Sequence, residues 1–460
     1  MLSKEIITGL CKIAGRENVL VEPEDLVAYS YDGTHLSFRP EAVIVPGTTE
    51  EISQIMKLAQ REKIPVVARG GGTNVSGGSL AVHGGMVIAL HRLNRIIEMN
   101  TENLTAVVEA GVITSDFHRA VEKEGLFFPP DPSSQGISTL GGNAAENAGG
   151  PRGLKYGVTR DYILGLEVVL ADGTILKTGS KTIKNVSGYD LTRLFVGSEG
   201  TLGIITKLTI RLIPFPEAQK TLLAVYDNLD DGAETVSAII REKIVPTTLE
   251  LMDRDLVEAI ENFKPSGLPL DADVVILIEV DGSQAEVERQ IEKVAEICTR
   301  YGAREIKIAK TQEESDRLWS GRRSGMGAMA AKCTTLISED ATIPRNKIPE
   351  FVRRIKKISA KYDVTILVLG HAGDGNLHPC LLTDERDAAK MERTEKAIEE
   401  MFQVTLEMGG TLSGEHGIGL MKNNFMHWEH GEEGIRVMRL IKQSLDPDHI
   451  LNPGKLFPET

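Results

Sequence analysis

The sequence predicts an α+β protein in two parts, and three observations carry this. The first half is dense in glycine and alternates short apolar, strand-like runs with a helical segment. Pro214 and Pro216 close the last of these runs, because proline cannot continue a ladder. Beyond them the texture changes to longer, charged helical segments separated by a few apolar strands. At 460 residues the chain exceeds one typical core. The expected division is residues 1–215, residues 216–420, and a C-terminal segment 421–460 that docks back on the first part.

In order, Ala42–Val45, Ile64–Ala68 and Met86–Leu90 read as strands around a helix at Thr49–Glu62. Leu164–Leu176 reads as a hairpin, two apolar runs with Ala171-Asp172-Gly173 between them, and Asp-Gly is a turn pair. Gly203–Leu212 is the strand that ends at the prolines. In the second part Val274–Val280 and Asp363–Gly370 are apolar enough to be buried strands, and Ala285–Tyr301 and Asp387–Met408 are helical. The end holds a helix, Glu433–Ser444, then Asp446-Pro447 and Asn452-Pro453-Gly454, a rigid turn.

Composition narrows the function. Hydrophobic residues make up 41% and charged residues 26%, and no apolar run reaches the roughly 18 residues that cross a bilayer, which leaves room only for peripheral membrane association. The apolar-periodic start (Leu2, Ile6, Leu10, Ile13) is broken by Glu5 and Lys12 and lacks a signal-peptide core, so a cytoplasmic protein is expected. A net charge of −14 argues against nucleic acid. An anionic substrate would need local cations or a metal. Cys11, Cys298, Cys333 and Cys380 show no C-x-x-C spacing, against an iron–sulfur cluster or a thiolate zinc site.

Three glycine clusters fall within about 135 residues. Arg69-Gly70-Gly71-Gly72-Thr73-Asn74-Val75-Ser76-Gly77-Gly78 follows a strand; consecutive glycines let several backbone N–H groups approach one anion. Neither G-x-G-x-x-G nor Walker A spacing occurs there. Pro129-Pro130-Asp131-Pro132 leads to Ser138-Thr139-Leu140-Gly141-Gly142-Asn143-Ala144-Ala145-Glu146-Asn147-Ala148-Gly149-Gly150, where small residues would let a flat ligand lie on the backbone while Asn143 and Asn147 hydrogen-bond it. Gly197-Ser198-Glu199-Gly200-Thr201-Leu202-Gly203-Ile204-Ile205 is the third. Together they suggest one extended cofactor rather than three unrelated turns.

These segments resemble the three FAD-contacting stretches of the vanillyl-alcohol oxidase/p-cresol methylhydroxylase-type flavoproteins, matched at Arg69–Gly78, Pro130–Gly157 and Gly197–Ile205. The resemblance implies a two-part FAD-binding domain and an α+β cap domain with an antiparallel sheet. It assigns FAD to Arg69, Gly70, Gly71, Gly72, Thr73, Asn74, Gly77 and Gly78 at the pyrophosphate. Pro130, Asp131, Ser138, Gly141, Gly142, Asn143, Asn147, Gly150 and Gly157 would run along the flavin and ribityl chain. Glu199, Gly200, Gly203, Ile204 and Ile205 would follow, with Asn452 from the terminal turn. The first loop has no histidine or cysteine, so FAD is expected to be non-covalent.

Gly370-His371-Ala372-Gly373-Asp374-Gly375-Asn376-Leu377-His378-Pro379 places two histidines on what reads as a glycine-rich loop after a strand, and Ser413-Gly414-Glu415-His416-Gly417 adds a carboxylate and a third histidine. Two imidazoles and a carboxylate suit zinc, iron or manganese with a position left open. The other histidines (His35, His83, His91, His118, His427, His430, His449) have no such setting. A His/His/Glu site could also serve a hydrolase, which a flavin would exclude.

Both motifs, together with Leu451-Asn452-Pro453-Gly454-Lys455, are similar to those of the FAD-linked D-2-hydroxy-acid dehydrogenases, a branch that includes the glycolate oxidase FAD subunit, D-lactate dehydrogenases and D-2-hydroxyglutarate dehydrogenase. This resemblance implies His371, His378 and Glu415 as metal ligands, His416 as catalytic base, and Arg322 of Trp319-Ser320-Gly321-Arg322 as the substrate-carboxylate residue. Where the hydroxyglutarate enzymes place a lysine before an Asp-x-x-x-Pro element, this chain has Ser338 before Asp340–Pro344, which favours lactate or glycolate over a dicarboxylate. A small D-2-hydroxy acid is thus the expected substrate. An iron–sulfur or electron-transferring flavoprotein partner, or a quinone, would take the electrons. The alternatives are a D-2-hydroxyglutarate-type dehydrogenase and a non-catalytic FAD-binding subunit of such a complex.

Overall fold

A computed structural model describes residues 2–458. The chain forms two compact units, one of residues 1–148, 158–215 and 415–460, the other of residues 149–157 and 216–414.

The first unit contains a short antiparallel pair, Leu126–Phe127 with Ile213–Pro214, and two larger sheets. One has four strands in the order Val19–Leu20, Ala42–Ile44, Met86–Ala89, Val66–Arg69, the last three parallel. The Thr49–Glu62 helix makes the crossover between two of these strands. Its apolar Ile52, Ile55, Met56 and Ala59 recur at helical spacing and are buried. Thr48 caps the N-terminus by accepting from Glu51 N–H at 3.1 Å. The second sheet is antiparallel and five-stranded: Ile96–Asn100, Thr105–Glu109, Ile204–Arg211, Ile163–Val169, Ile175–Gly179. Its last two strands are the expected hairpin, turned at Asp172-Gly173. The C-terminal helix, Met426–Leu445, starts earlier than expected and is interrupted at Gly431, whose backbone is not helical.

The second unit is built on one antiparallel sheet in the order Glu305–Ile308, Ala218–Tyr226, Val274–Gly282, Thr248–Asp253, Thr365–His371, Asn376–Thr383, Thr335–Ser338, with Ala341–Thr342 paired to Asn376–Thr383. The unbroken apolar run Val274–Ile278 follows from cover on both faces. Val275 and Leu277 join Leu223, Met252, Leu256, Ile260, Leu318 and Trp319 in one core, whereas Val274 and Ile276 face Gly232 of the Leu229–Arg241 helix on the other side. No helix among the described residues is long and apolar enough to cross a membrane.

One expectation is corrected. His371 and His378 do not share a loop: His371 ends the Thr365–His371 strand, and His378 lies inside the Asn376–Thr383 strand. The four residues between the two strands, 372–375, form a tight hairpin turn. Gly375 has φ +88° there, and a Cβ on it would sit 2.0 Å from the Ile343 carbonyl oxygen. Pro379 hid this strand from the sequence. Its carbonyl accepts from Glu339 N–H, so its nitrogen, on the same side, faces the break between Thr335–Ser338 and Ala341–Thr342 and leaves the ladder to Thr365–His371 intact.

Candidate active site

Within the first unit the three glycine segments converge. A Cβ on Gly70 would lie 2.3 Å from Thr139 Oγ1 and one on Gly71 2.5 Å from the Ile137 carbonyl oxygen, so the first segment lies directly on the second. The third joins through Gly197 N–H to Ala144 O and Glu199 N–H to Ala145 O. The terminal turn locks the set: buried Asn452 donates through Nδ2 to Gly78 O at 2.8 Å and to Glu199 O at 2.7 Å. Residues 70–75 form a partly accessible run between buried flanks, and so do 145–148. Backbone left accessible along small residues is what a long cofactor requires, so these segments fit FAD.

Several side chains expected to meet the ligand serve the chain itself. Asn143 donates to Thr114 Oγ1, and Asn147, in a left-handed conformation, accepts from Arg160 N–H. Glu199 accepts from Ile418 N–H and Gly419 N–H, both at 2.7 Å. Arg69 is buried, donates to Ser79 Oγ and lies over the Tyr29 ring. Gly150 and Gly157 belong to the segment grouped with the second unit.

Lys455 donates to Leu80 O and Asn452 Oδ1. Burial pushes its ammonium down to about 8, against the upward pull of Asp32, Glu199 and Glu146. Burial, reinforced by the Glu199 and Asp32 carboxylates, holds Glu146 well above the usual carboxylate range. Because Lys455 gives up its proton earlier when folded, the unfolded chain holds more protons between about 8 and about 10.4. Stability therefore rises with pH across that window, by at most about 1.4 kcal/mol per pH unit. Melting temperatures of wild type and Lys455→Met across it check this: the wild-type curve should carry an extra upward slope.

Within the second unit, strand register assembles the histidines. Leu369 pairs with His378, and His371 with Glu250 of the neighbouring strand, which puts Glu250, His371 and His378 on the face that carries Leu369, Met252 and Cys380. The imidazoles are buried, with ring centroids 5.1 Å apart at 83°. His371 Nδ1 lies 2.6 Å from Glu250 Oε1, and His378 Nδ1 lies 3.7 Å from Asp340 Oδ1. His371 thus turns Nδ1 to a buried carboxylate at hydrogen-bond distance and Nε2 away from it, as histidine metal ligands do, whereas His378 Nδ1 faces Asp340 beyond hydrogen-bond distance. Two buried imidazoles side by side fit a divalent metal.

The Gln312–Arg323 helix lies over this face and is pinned at two points. Trp319 Nε1 donates to Glu279 Oε2 at 2.9 Å. Three residues on, Arg322 donates to Glu250 Oε2 from Nε at 2.8 Å and Nη2 at 2.6 Å. The adjacent guanidinium and imidazole hold the Glu250 carboxyl below its ordinary range, although burial alone would raise it. The Nη1–Nη2 edge of Arg322 keeps the geometry to grip a carboxylate. Asp340, fully buried, accepts from Ser413 Oγ at 2.6 Å and Gly414 N–H at 2.7 Å. In the first unit Glu199 holds Ile418 and Gly419, so Glu415, His416 and Gly417 lie between two anchored pairs.

The sequence reading missed Glu250. Its signal was present: a charge in the apolar strand Leu249-Glu250-Leu251-Met252 needs a buried partner.

Two family models match the chain, a FAD binding domain over residues 40–179 and the C-terminal domain of FAD linked oxidases over residues 215–456. The chain belongs to the FAD-linked oxidases. It is 50% identical to glycolate oxidase subunit GlcD of Bacillus subtilis (strain 168) over 458 residues, 99% of this chain and 97% of that protein. It is 36% identical to a D-lactate dehydrogenase of Anaerostipes hadrus, covering 99% and 98%. A p-cresol methylhydroxylase structure with substrate bound superposes with a TM-score of 0.82 at 19% identity, over 99% of this chain and 96% of that one. This FAD-linked oxidase therefore has the vanillyl-alcohol oxidase/p-cresol methylhydroxylase-type fold, binds FAD and is an oxidoreductase, which removes the hydrolase alternative.

Proposed function

We propose that this FAD-linked oxidase converts a small D-2-hydroxy acid, D-lactate or glycolate, to the 2-oxo acid, with a divalent zinc, iron or manganese ion beside non-covalent FAD. The observation that carries this is the buried His371–His378 pair, with His371 backed by the Glu250 carboxylate, beneath an arginine able to take an acid group. The names and near-complete coverage of the glycolate oxidase and D-lactate dehydrogenase relatives support the substrate class.

His371 and His378 would hold the metal with Glu415 as third ligand. When bound, the metal supplies Lewis-acid polarisation of the substrate hydroxyl, and FAD supplies the acceptor for the hydride that leaves the α-carbon. Arg322 binds the substrate carboxylate through its Nη1–Nη2 edge. His416 accepts the hydroxyl proton. Ser338 Oγ, where a dicarboxylate enzyme would need a cation, accepts from the Cys380 thiol and supports a one-carboxylate substrate. Electrons would leave to an iron–sulfur or electron-transferring flavoprotein partner, or to a quinone.

Steady-state turnover with a dye acceptor tests the reading. D-lactate or glycolate should be oxidised, L-lactate and D-2-hydroxyglutarate poorly, and chelation should abolish the activity while flavin is retained. Preference for D-2-hydroxyglutarate would overturn the substrate assignment.

A further inference from the structure

Glu250 is wholly buried at the centre of the sheet face that carries the histidines, and each of its oxygens has a different task. Oε1 faces His371 Nδ1 at 2.6 Å; Oε2 takes Nε and Nη2 of Arg322 at 2.8 and 2.6 Å. We propose that Glu250 is a positioning residue that fixes His371 in the tautomer able to ligate metal and, through its other oxygen, holds the Arg322 fork in place for the substrate acid group. This deepens the metal and carboxylate roles proposed above and rests on them.

Donor and acceptor chemistry sets this arrangement. A guanidinium can only donate, and a carboxylate only accepts. Glu250 therefore satisfies Arg322 with one oxygen and draws Nδ1–H of His371 to the other, leaving the lone pair on Nε2. The strand pairing of Glu250 with His371 places the two side chains side by side, so no other group is needed to set the ring. Glu250→Gln keeps the shape and breaks the logic. Its single amide oxygen is needed by Arg322, so its NH2 turns to His371 Nδ1. That nitrogen must then accept, the proton moves to Nε2, and the lone pair aimed at the metal is lost.

The test uses full-length, FAD-containing protein stripped of metal and titrated with Co2+, read by cobalt absorption, with KM measured in parallel and folding followed by near-ultraviolet circular dichroism. Glu250→Gln should bind Co2+ about 10- to 100-fold more weakly than wild type and show a raised KM. Arg322→Gln should raise KM while leaving Co2+ affinity intact, a split that loss of packing alone would not produce. Wild-type Co2+ affinity and KM in Glu250→Gln would overturn the assignment, as would equal loss of Co2+ affinity in Arg322→Gln. If wild type itself takes up no Co2+, the metal reading falls and takes this assignment with it. Should Glu250→Gln fail to fold, Glu250→Asp replaces it: the shorter carboxylate cannot span both partners, so an intermediate loss is expected and wild-type values would overturn the proposal.

Discussion

His416→Ala should slow anaerobic reduction of the flavin by substrate about 10²- to 10⁴-fold, the usual worth of a positioned general base, while FAD remains bound. The size follows from the reaction. The α-carbon cannot release a hydride readily while its hydroxyl keeps the proton, and His416 is the histidine assigned to take it. Its backbone is well fixed, since Ser413 and Gly414 are tied to Asp340, and Ile418 and Gly419 to Glu199. Truncating the ring should therefore remove chemistry rather than structure. Stopped-flow reduction rates and flavin content separate the two, and a near-wild-type rate would sink the base assignment.

A large loss of stability should follow Gly375→Ala. At φ +88° a side chain is strained whatever space it has, and here the new Cβ would meet the Ile343 carbonyl oxygen at 2.0 Å. Backbone strain of about 1–3 kcal/mol and overpacking of about 1–3 kcal/mol would add. The turn also fixes the offset between His371 and His378, because His371 pairs with Asn376 on the far side of it. Denaturant unfolding should show a loss of about 3 kcal/mol or more, together with weakened metal binding. A loss below 1 kcal/mol would mean that the hairpin yields easily and the histidine geometry is not set by the turn.

What the sequence disclosed and what it withheld follow from how local each signal is. The Thr49–Glu62 helix was legible because its cap and apolar spacing lie within the segment. The hairpin around Asp172-Gly173 was legible for the same reason. The strand Asn376–Thr383 was not, because its glycines and Pro379 read locally as a loop and only the neighbouring Glu339 explains the tolerated proline. In the site, residue types pointed to the histidines, and the family resemblance pointed to Arg322. The partner of both, Glu250, lies 121 residues from His371 and 72 from Arg322, and strand register, not motif spacing, joins it to His371. Asn143 and Glu199, expected as FAD contacts, also hold the fold's own segments together, a role that only the folded chain discloses.

The most direct test of the central claim is the visible spectrum of the purified protein as D-lactate or glycolate is added without oxygen, before and after chelation. The account predicts a yellow protein whose flavin band bleaches with one of these acids, a response lost on chelation and restored by a divalent metal. A yellow protein that no 2-hydroxy acid bleaches, or one that bleaches equally well after complete removal of metal, would contradict it.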